Sequence, residues 1–441
     1  MEISSSSSKQ RSVEYKLPLG EAAATFQLAK AVCSHGFFMT APNQWDPISQ
    51  TFRRPLRLDE NDDVSSSSVI VEVSQPPQSS YLILRVFDTD SLSPAHQQQL
   101  MDQVRRMLRL SEMEERNVRE FHQIYAEAKA SCFGRMFRSP TLFEDMVKCI
   151  LVCNCQWSRT LSMAQALCEL QLELQCSTSM ETDKRTSTSS KIAPETPVGK
   201  EKIKRKIKSQ ENSRNVAKRC AEVKSAMEAE ATLRVNCVKT PISTHNADIH
   251  DFVSEPSEKR DLPFDNGIGN FPIPSELATL DVDFLAKRCN LGYRAIRILR
   301  LAQGVVEGRI NLRKIEEDCA ETSISNYMKL NEQLGEIYGF GPFTRANVLM
   351  CLGFYHVVPS DSETLRHLNQ VHGKKSTIKN IEAEIERIYG KYAPFQFLVY
   401  WSEIWSFYEE RFGKPSELPS SHYKLITAAN MRGKDGATKK K

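Results

Sequence analysis

Hydrophobic and polar positions alternate in the first hundred residues in a way that is typical of strands. Three short runs rich in Val, Ile, Leu and aromatic residues, at 52–58, 68–73 and 81–87, are separated by the turn-prone stretches ENDD, SSSS and QPPQSS. This pattern predicts an antiparallel sheet. Helices are predicted on either side of it, at 20–33 and 96–110, where apolar residues recur at helical spacing.

From about Glu120 onward the apolar residues recur every three or four positions, and no strand pattern competes with them. This spacing predicts a series of helices. They are expected at residues 142–155, 159–172, 294–308, 325–338, 343–354 and 379–392. The fold class predicted is therefore α+β, with a mostly helical domain that follows an antiparallel sheet domain.

The composition changes sharply in the middle of the chain. Residues 177–263 contain one aromatic side chain, Phe252, and are dense in Ser, Thr, Lys and Glu. Such a segment buries too little apolar surface to offset its ordering entropy, so we predict a disordered insertion that interrupts the helical domain. The predicted boundaries are 1–14 disordered, 15–115 sheet domain, 116–176 and 264–415 helical domain, 177–263 insertion, and 416–441 flexible basic tail.

Charge and cysteine content indicate the kind of partner and the cellular compartment to expect. The net charge of +4 permits an anionic partner without requiring one, and residues 200–219 hold nine basic and two acidic side chains. That run fits a solvated charge segment, loose phosphate binding or nuclear localisation, and we favour the nucleus. No run of 18 apolar residues and no secretory signal is present, so the twelve cysteines are expected to be reduced thiols in an intracellular protein that does not enter membranes. They lack paired CxxC spacing, and no metal site is predicted.

The segment 330–368 reads as helix, tight turn, helix, loop and helix. Gly339 and Gly341 lie in the turn, where glycine permits positive φ and close approach of another backbone, and Pro342 follows at the first helical position. The amides of the turn and of the next helix would form an anion site suited to a phosphate. An ordinary pair of helices joined by a short loop fits the Gly-x-Gly pattern equally well.

Asp361 has two interpretations. Ser360 and Glu363 match the S-x-x-E capping box, and an Asp beside it is a common helix-start residue. By itself this pattern makes Asp361 structural.

The combination of motifs indicates more. Asp361 follows Val-Val-Pro-Ser and lies 22 residues after Gly339, and Arg366 comes five residues later. Together these features resemble the helix-hairpin-helix (HhH-GPD) DNA glycosylase superfamily, nearest its 8-oxoguanine glycosylase and 3-methyladenine glycosylase II branches. Residues 291–295, 143–144 and 153–156 resemble further superfamily stretches. The resemblance covers roughly 138–175 and 262–413, and more weakly 15–111.

The resemblance implies a monomeric enzyme of base excision repair that acts on double-stranded DNA with a damaged base. Asp361 would stabilise the cationic sugar and orient or deprotonate a water, and the helix dipole is expected to keep it ionised. Gln156 would fill the gap left by a flipped base, Tyr293 would act as a wedge, and Arg294 would hydrogen-bond the orphaned base. The alternatives are an exposed loop amide, core packing and a solvated helix residue, respectively. The implied hairpin contacts to DNA are Gly339, Phe340, Gly341, Phe343 and Thr344.

The base pocket is expected in the aromatic stretch 395–412. Gln396, Tyr400 and Trp401 match the region that contacts the damaged base in 8-oxoguanine glycosylases. Aromatic faces stack on bases, although a stripe of aromatics at helical spacing is more often core.

Two departures from the superfamily pattern limit the chemistry. Phe343 stands where bifunctional members carry a nucleophilic lysine, so no Schiff base forms there, and a monofunctional enzyme is expected. A bifunctional enzyme that uses Lys374 or Lys375 is a further alternative, as is a non-catalytic module that binds damaged or bent DNA. No cysteine follows Cys351, which excludes the iron–sulfur cluster of endonuclease III. Relatives also hold a monovalent cation with hairpin carbonyls.

Overall fold

The computed structural model describes residues 11–58, 68–186, 269–319, 321–427 and 430. Its strands are β1 Ser12–Pro18, β2 Gln44–Asp46, β3 Thr51–Arg57, β4 Ser68–Ser74 and β5 Tyr81–Phe87. The α-helices of this part of the chain are α1 Leu28–Val32, α2 Pro94–Leu108, α3 Glu112–Ile124, α4 Ala126–Ser131, α5 Leu142–Val152, α6 Trp157–Thr186, α7 Pro274–Ala278, α8 Val282–Arg288, α9 Arg294–Val306, α10 Leu312–Glu317, α11 Ile324–Gly335, α12 Pro342–Cys351, α13 Ser362–Gln370, α14 Ile381–Tyr389 and α15 Gln396–Phe412. Short 3-10 helices occur at Gly20–Ala24, Gly36–Met39, Gly390–Tyr392 and Ser420–Leu425.

The five strands form one antiparallel sheet in the order β1-β5-β4-β3-β2. The α+β class is confirmed, and the three predicted strands lie within one residue of β3, β4 and β5. Strand β1 was missed, although Val13, Tyr15 and Leu17 alternate with polar residues and turn towards the core. Because β1 begins at Ser12, the predicted disordered boundary at residue 14 is wrong.

The predicted helix at 20–33 is wrong as one element. A 3-10 helix occupies Gly20–Ala24 and α1 begins only at Leu28, because the backbone at Gln27 is extended. The side chain of Gln75 accepts the Leu28 amide at 2.7 Å, which satisfies a helix-start donor from a distant part of the chain. Long-range contacts of this kind carry no local sequence signal. The other predicted helices are present with ends shifted by a few residues, except that the helix predicted at 159–172 continues to Thr186.

Buried ion pairs join the sheet to the helical domain. Arg54 of β3 donates to both carboxylate oxygens of Glu144 in α5, at 3.2 and 3.0 Å, and Lys148 donates to the same carboxylate at 2.7 Å. Burial raises the pKa of Glu144, but the charges and hydrogen bonds of Arg54 and Lys148 outweigh it and bring the pKa to about 2. Removing one partner of such a buried pair costs about 3–5 kcal/mol. Glu144 is therefore a structural residue.

Two predicted domain ends differ from the structure. Helix α6 continues to Thr186, so the first ten residues of the predicted insertion are helical, and residues 187–263 lie outside the described residues. The predicted flexible tail is wrong over 416–427. There the Ser416 carbonyl accepts a hydrogen bond of 2.9 Å from the Trp45 indole, and Tyr423 and Ile426 are buried.

The sheet and the helices on both sides of residues 184–264 belong to one compact unit. Among the described helices, none is both long and apolar enough to cross a membrane.

Candidate functional site

The hairpin between α11 and α12 uses its two glycines differently. Gly339 has φ +86°, a conformation that side chains with a Cβ rarely adopt, whereas Gly341 is the N-cap of α12 with φ −73° and ψ 175°. The expectation of positive φ at both positions is wrong for Gly341. A Cβ at Gly341 would meet no atom within 4 Å, so this glycine faces open space. The hairpin is thus open to close approach at Gly341.

Fewer backbone amides are free at this hairpin than the sequence predicts. The Phe340 amide donates to the Ile337 carbonyl at 3.0 Å and its ring is buried, so the expectation of a free amide there is wrong. Thr344 is also buried, and its hydroxyl lies 3.1 Å from the Cys153 sulfur. The amides of Gly341 and Phe343 remain at the start of α12, where a helix offers no intrahelical acceptor.

Arg294 holds the loop after α5 rather than a base. Its side chain is 2% exposed, and the guanidinium donates to the carbonyls of Cys153 and Asn154. The predicted contact of Arg294 with an orphaned base is therefore wrong, because this group is already committed inside the protein. Gln156, at the end of the same loop, is exposed.

Tyr293 lies at the surface, not in the core. Its side chain is 47% exposed, and its hydroxyl donates to the Cys153 carbonyl at 3.1 Å. This hydrogen bond fixes the ring beside the loop that carries Gln156. The position suits a wedge, and the role remains a prediction.

Two arginines that the sequence analysis overlooked connect Tyr293 to the hairpin. The Arg297 guanidinium lies 4.7 Å from the centre of the Tyr293 ring, and a Cβ on Gly339 would come within 2.6 Å of the Arg297 side chain. The Arg300 guanidinium stacks 4.1 Å above the half-exposed Tyr338 ring. We call these five residues the α9–hairpin surface. The basic residues three apart on α9 were the available sequence signal.

Asp361 is the N-cap of α13. Its backbone is extended, with φ −122°, and its carboxylate accepts the Thr364 amide at 2.9 Å. The interpretation of Ser360 as the cap in a capping box is wrong, because Asp361 makes that contact. The hydrogen bonds around its carboxylate nevertheless suit a chemical role in addition to capping.

The Thr364 hydroxyl is shared among three partners. It lies 2.6 Å from the Pro359 carbonyl, 3.0 Å from Oδ1 of Asp361 and 2.7 Å from the Tyr400 hydroxyl. A hydroxyl carries one proton, so it cannot donate to both the carbonyl and the carboxylate. The hydrogen bonds that the protein gives to the Asp361 carboxylate therefore replace only part of its hydration.

Burial raises the pKa of Asp361, and the hydrogen bonds from Thr364 offset this only in part. The helix N-terminus favours the charged form, but desolvation is the larger effect and moves the pKa upward. A carboxylate that is poorly solvated has more to gain from a developing positive charge or from a proton. Such a group is suited to general base catalysis and to cation stabilisation.

The predicted pocket residues are mostly packed. Tyr400 is 3% exposed, so it offers no free face to a base, and that prediction is wrong for the described conformation. Trp401 donates its indole N–H to the Ser34 carbonyl at 2.9 Å and stacks on Phe397 with ring centres 6.0 Å apart. Gln396 differs: its side-chain oxygen is buried and has no hydrogen-bond partner among the described residues.

The structure thus forms two groups from the predicted site residues. The loop after α5, Tyr293 and the hairpin belong to one group, and Asp361, Thr364 and Tyr400 form the other. Phe343 lies near the first group, half-buried, with its carbonyl accepting from Asn347 at 2.8 Å. No hydrogen bond within the described part of the chain joins the two groups directly.

The chain is similar to several solved structures. A structure of MBOgg1 in complex with a low-affinity DNA ligand is 16% identical, with 90% of this chain and 99% of that chain covered and a TM-score of 0.48. The 3-methyladenine DNA-glycosylase from Archaeoglobus fulgidus is 15% identical, with 91% and 98% covered and a TM-score of 0.46. The 8-oxoguanine glycosylase/lyase of Clostridium acetobutylicum in complex with double-stranded DNA containing cytosine opposite 8-oxoG is 10% identical, with 86% and 92% covered and a TM-score of 0.46. No protein-family model and no curated protein matches the chain.

Proposed function

We propose that this chain is a DNA glycosylase of the helix-hairpin-helix superfamily, and that it releases a damaged base in base excision repair. The observation that carries the proposal is Asp361, a poorly solvated carboxylate with a raised pKa at the head of the helix that follows the hairpin. The sequence motifs support membership of this superfamily, and the surroundings of Asp361 support a role for its carboxylate in base release.

Cleavage of an N-glycosidic bond builds positive charge on the sugar as the base departs. The transition state is like the oxocarbenium ion of glycoside hydrolysis. Asp361 would stabilise this charge and accept a proton from the attacking water. Thr364, which donates its amide to Oδ1, fixes the orientation of the carboxylate.

The α9–hairpin surface supplies a route for the DNA backbone. Arg297 and Arg300 provide positive charge, and the start of α12 at Gly341 provides amides for a phosphate. A base must leave the duplex before the partly buried Asp361 carboxylate can act on its sugar. The exposed Tyr293 would separate the base step, and Gln156 would occupy the vacated position.

The enzyme is proposed to be monofunctional, because Phe343 offers no amine at the position of the nucleophilic lysine. Borohydride reduction during incubation with abasic-site DNA tests this directly. A covalent adduct that disappears in a Lys374→Ala, Lys375→Ala double variant would show a bifunctional enzyme instead.

Three further proposals rest on the sequence. The enzyme uses no iron–sulfur cluster, it works as a monomer, and the basic run at 200–219 directs it to the nucleus. The hairpin is also proposed to hold a monovalent cation through backbone carbonyls. The carbonyls of Ile337 and Gly341 each accept one amide at 3.0 Å, which leaves each of them a second lone pair. Replacing potassium by a large organic cation should then weaken DNA binding.

The experiment that tests the function is a panel of short duplexes, each with one damaged base, assayed for base release by the full chain. Release from at least one lesion, lost in Asp361→Asn, supports the enzyme. The packing of Tyr400 and Trp401 favours a second candidate, a non-catalytic module that binds damaged or bent DNA. Tighter binding to a lesion duplex without release of any base would select this alternative.

A further inference from the structure

A cluster of four polar side chains lies in a different part of the helical domain. His367 belongs to α13, His372 follows the end of that helix, Tyr389 ends α14, and Glu403 lies in α15. One oxygen of Glu403 lies 3.0 Å from His367 Nε2, 2.8 Å from His372 Nε2 and 2.6 Å from the Tyr389 hydroxyl. The Tyr389 hydroxyl lies 3.1 Å from each imidazole nitrogen. Four donor atoms from three helices and a loop therefore converge.

The spacing of these atoms fits a small metal ion. A zinc ion lies about 2.0 Å from nitrogen or oxygen ligands, which sets tetrahedral ligand atoms about 3.3 Å apart. The two separations between the Glu403 oxygen and the imidazole nitrogens, 3.0 and 2.8 Å, fall a few tenths of an ångström below that value. The ligand atoms of His367, His372 and Glu403 all lie within 4.8 Å of one another. The two imidazole rings meet at 72°, so they approach one point from different directions.

Burial and charge also suit a metal. The His367 side chain is fully buried, whereas His372 and Glu403 are each about one-fifth exposed, so an ion can enter from their side. The Glu403 carboxylate would balance part of the charge of a divalent ion. Two imidazoles and one carboxylate are a common ligand set for zinc.

We propose that His367, His372 and Glu403 form a binding site for a divalent transition-metal ion, with zinc the best fit, and that Tyr389 orients the Glu403 ligand. The ion cross-links α13 to α15 and to the loop after α13. This site is separate from Asp361 and does not depend on the proposed glycosylase activity.

The metal would also brace the helix that Asp361 caps. The His367 ring packs edge-on against Tyr400 at 5.4 Å, and Tyr400 contacts Thr364, which holds Asp361. Loading the site should thus stabilise α13 and the residues that position its N-terminus. A ligand that binds only the folded state raises the melting temperature by mass action.

The test uses the full chain without an affinity tag, first stripped of metal and then titrated with Zn²⁺ alone by calorimetry. We expect one ion per chain and a melting temperature raised by a few degrees. Cobalt in the same site should show the visible bands of tetrahedral coordination, without the sulfur charge-transfer band that a cysteine site would give.

Two variants separate the site from adventitious binding. His372→Asn and Glu403→Gln alter the partly exposed ligands, which makes folding more secure than a change at the buried His367. Each should weaken Zn²⁺ binding by roughly 100-fold or more, whereas His422→Asn, at an exposed position in Ser420–Leu425, should bind as wild type does. Unchanged Zn²⁺ affinity in both ligand variants, or no Zn²⁺ binding by the wild-type chain, would mean that the cluster is a hydrogen-bonded network and overturn the proposal.

Discussion

The hydroxyl oxygen of Tyr400 lies 2.7 Å from the hydroxyl oxygen of Thr364. This contact links the aromatic interior of α15 to the N-terminus of α13, because Thr364 also holds the Asp361 carboxylate. Tyr400, expected from the sequence to stack on a base, is therefore a positioning residue for Asp361.

Tyr400→Phe removes the phenol but keeps the ring. We expect base release to slow by about 5-fold, since the loss of one hydrogen bond of about 1 kcal/mol lets the Thr364 hydroxyl rotate away from Asp361. DNA affinity should not change. Single-turnover kinetics and binding titrations on one lesion duplex measure both quantities.

Tyr423→Phe is the matched control, since Tyr423 is also buried but its hydroxyl has no hydrogen-bond partner among the described residues. It should release base at the wild-type rate. Equal rates for Tyr400→Phe and wild type would remove Tyr400 from the positioning of Asp361.

The raised pKa of Asp361 predicts that Asp361→Asn stabilises the protein at neutral pH. The unfolded carboxyl titrates near its ordinary value of about 3.9, and the folded one at higher pH. As the pH rises through this window, the unfolded state loses its proton first, so the wild-type chain loses stability that the Asn variant keeps. Below about pH 3.9 both states are protonated and the difference should vanish.

Urea unfolding of both proteins at about pH 3 and about pH 7, on either side of this window, measures this difference in free energy of unfolding. A variant that is less stable than wild type at pH 7 would show that the carboxylate is well compensated in the folded state. Asp361 would then lack the poor solvation that suits it to act as a general base.

At the hairpin, Gly341→Val should leave the fold intact and weaken DNA binding. The backbone at Gly341 suits any residue and its Cβ direction is open, so the added side chain would occupy the space that a phosphate approaches. We expect a loss of about 1–3 kcal/mol if one charge-assisted hydrogen bond is broken. The loss should be similar for lesion and undamaged duplexes, because phosphate contacts carry no sequence information.

Gly339→Val is the contrasting variant. Its backbone has φ +86° and its Cβ would collide with Arg297, so we expect reduced melting temperature first. A folded Gly341→Val protein that binds both duplexes as wild type does would contradict the phosphate role of the hairpin.

At Tyr293, the ring and the hydroxyl can be separated. Tyr293→Ala removes the exposed ring and should reduce base release from a paired duplex by about 10-fold or more, because unstacking the base step costs a few kcal/mol without a wedge. Tyr293→Phe loses only the hydrogen bond to the Cys153 carbonyl and should retain most of the rate. A lesion in single-stranded DNA should be released equally by all three proteins. Equal loss on single strands would assign the effect to folding or to the pocket.

The sequence predicted correctly those elements that are marked by residues within the element itself. Strands β4 and β5 are rich in β-branched, aromatic and Leu residues, and the hairpin is marked by Gly339, Gly341 and Pro342. It failed where a distant partner decides the outcome. Arg294 resembles a solvated helix residue until the loop after α5 folds over it, and Tyr400 resembles an aromatic face for a base until Thr364 lies opposite its hydroxyl.

The cluster around Glu403 shows the same limit. His367 and His372 are five residues apart, but Tyr389 and Glu403 come from two later helices, so no sequence motif unites them. The raised pKa of Asp361 likewise depends on burial by the folded chain. The spacing from Gly339 identified Asp361 in the sequence, but the direction of its pKa shift follows only from the packing around it.

The central claim is that Asp361 performs the chemistry of base release. The most direct measurement compares wild type and Asp361→Asn on the lesion duplex that the wild-type chain processes best, with single-turnover release and DNA affinity determined on the same preparations. We expect the Asn variant to fold, to bind this duplex as tightly as wild type or more tightly because a negative charge is gone, and to release no measurable base. Base release by the Asn variant at the wild-type rate would contradict the central claim.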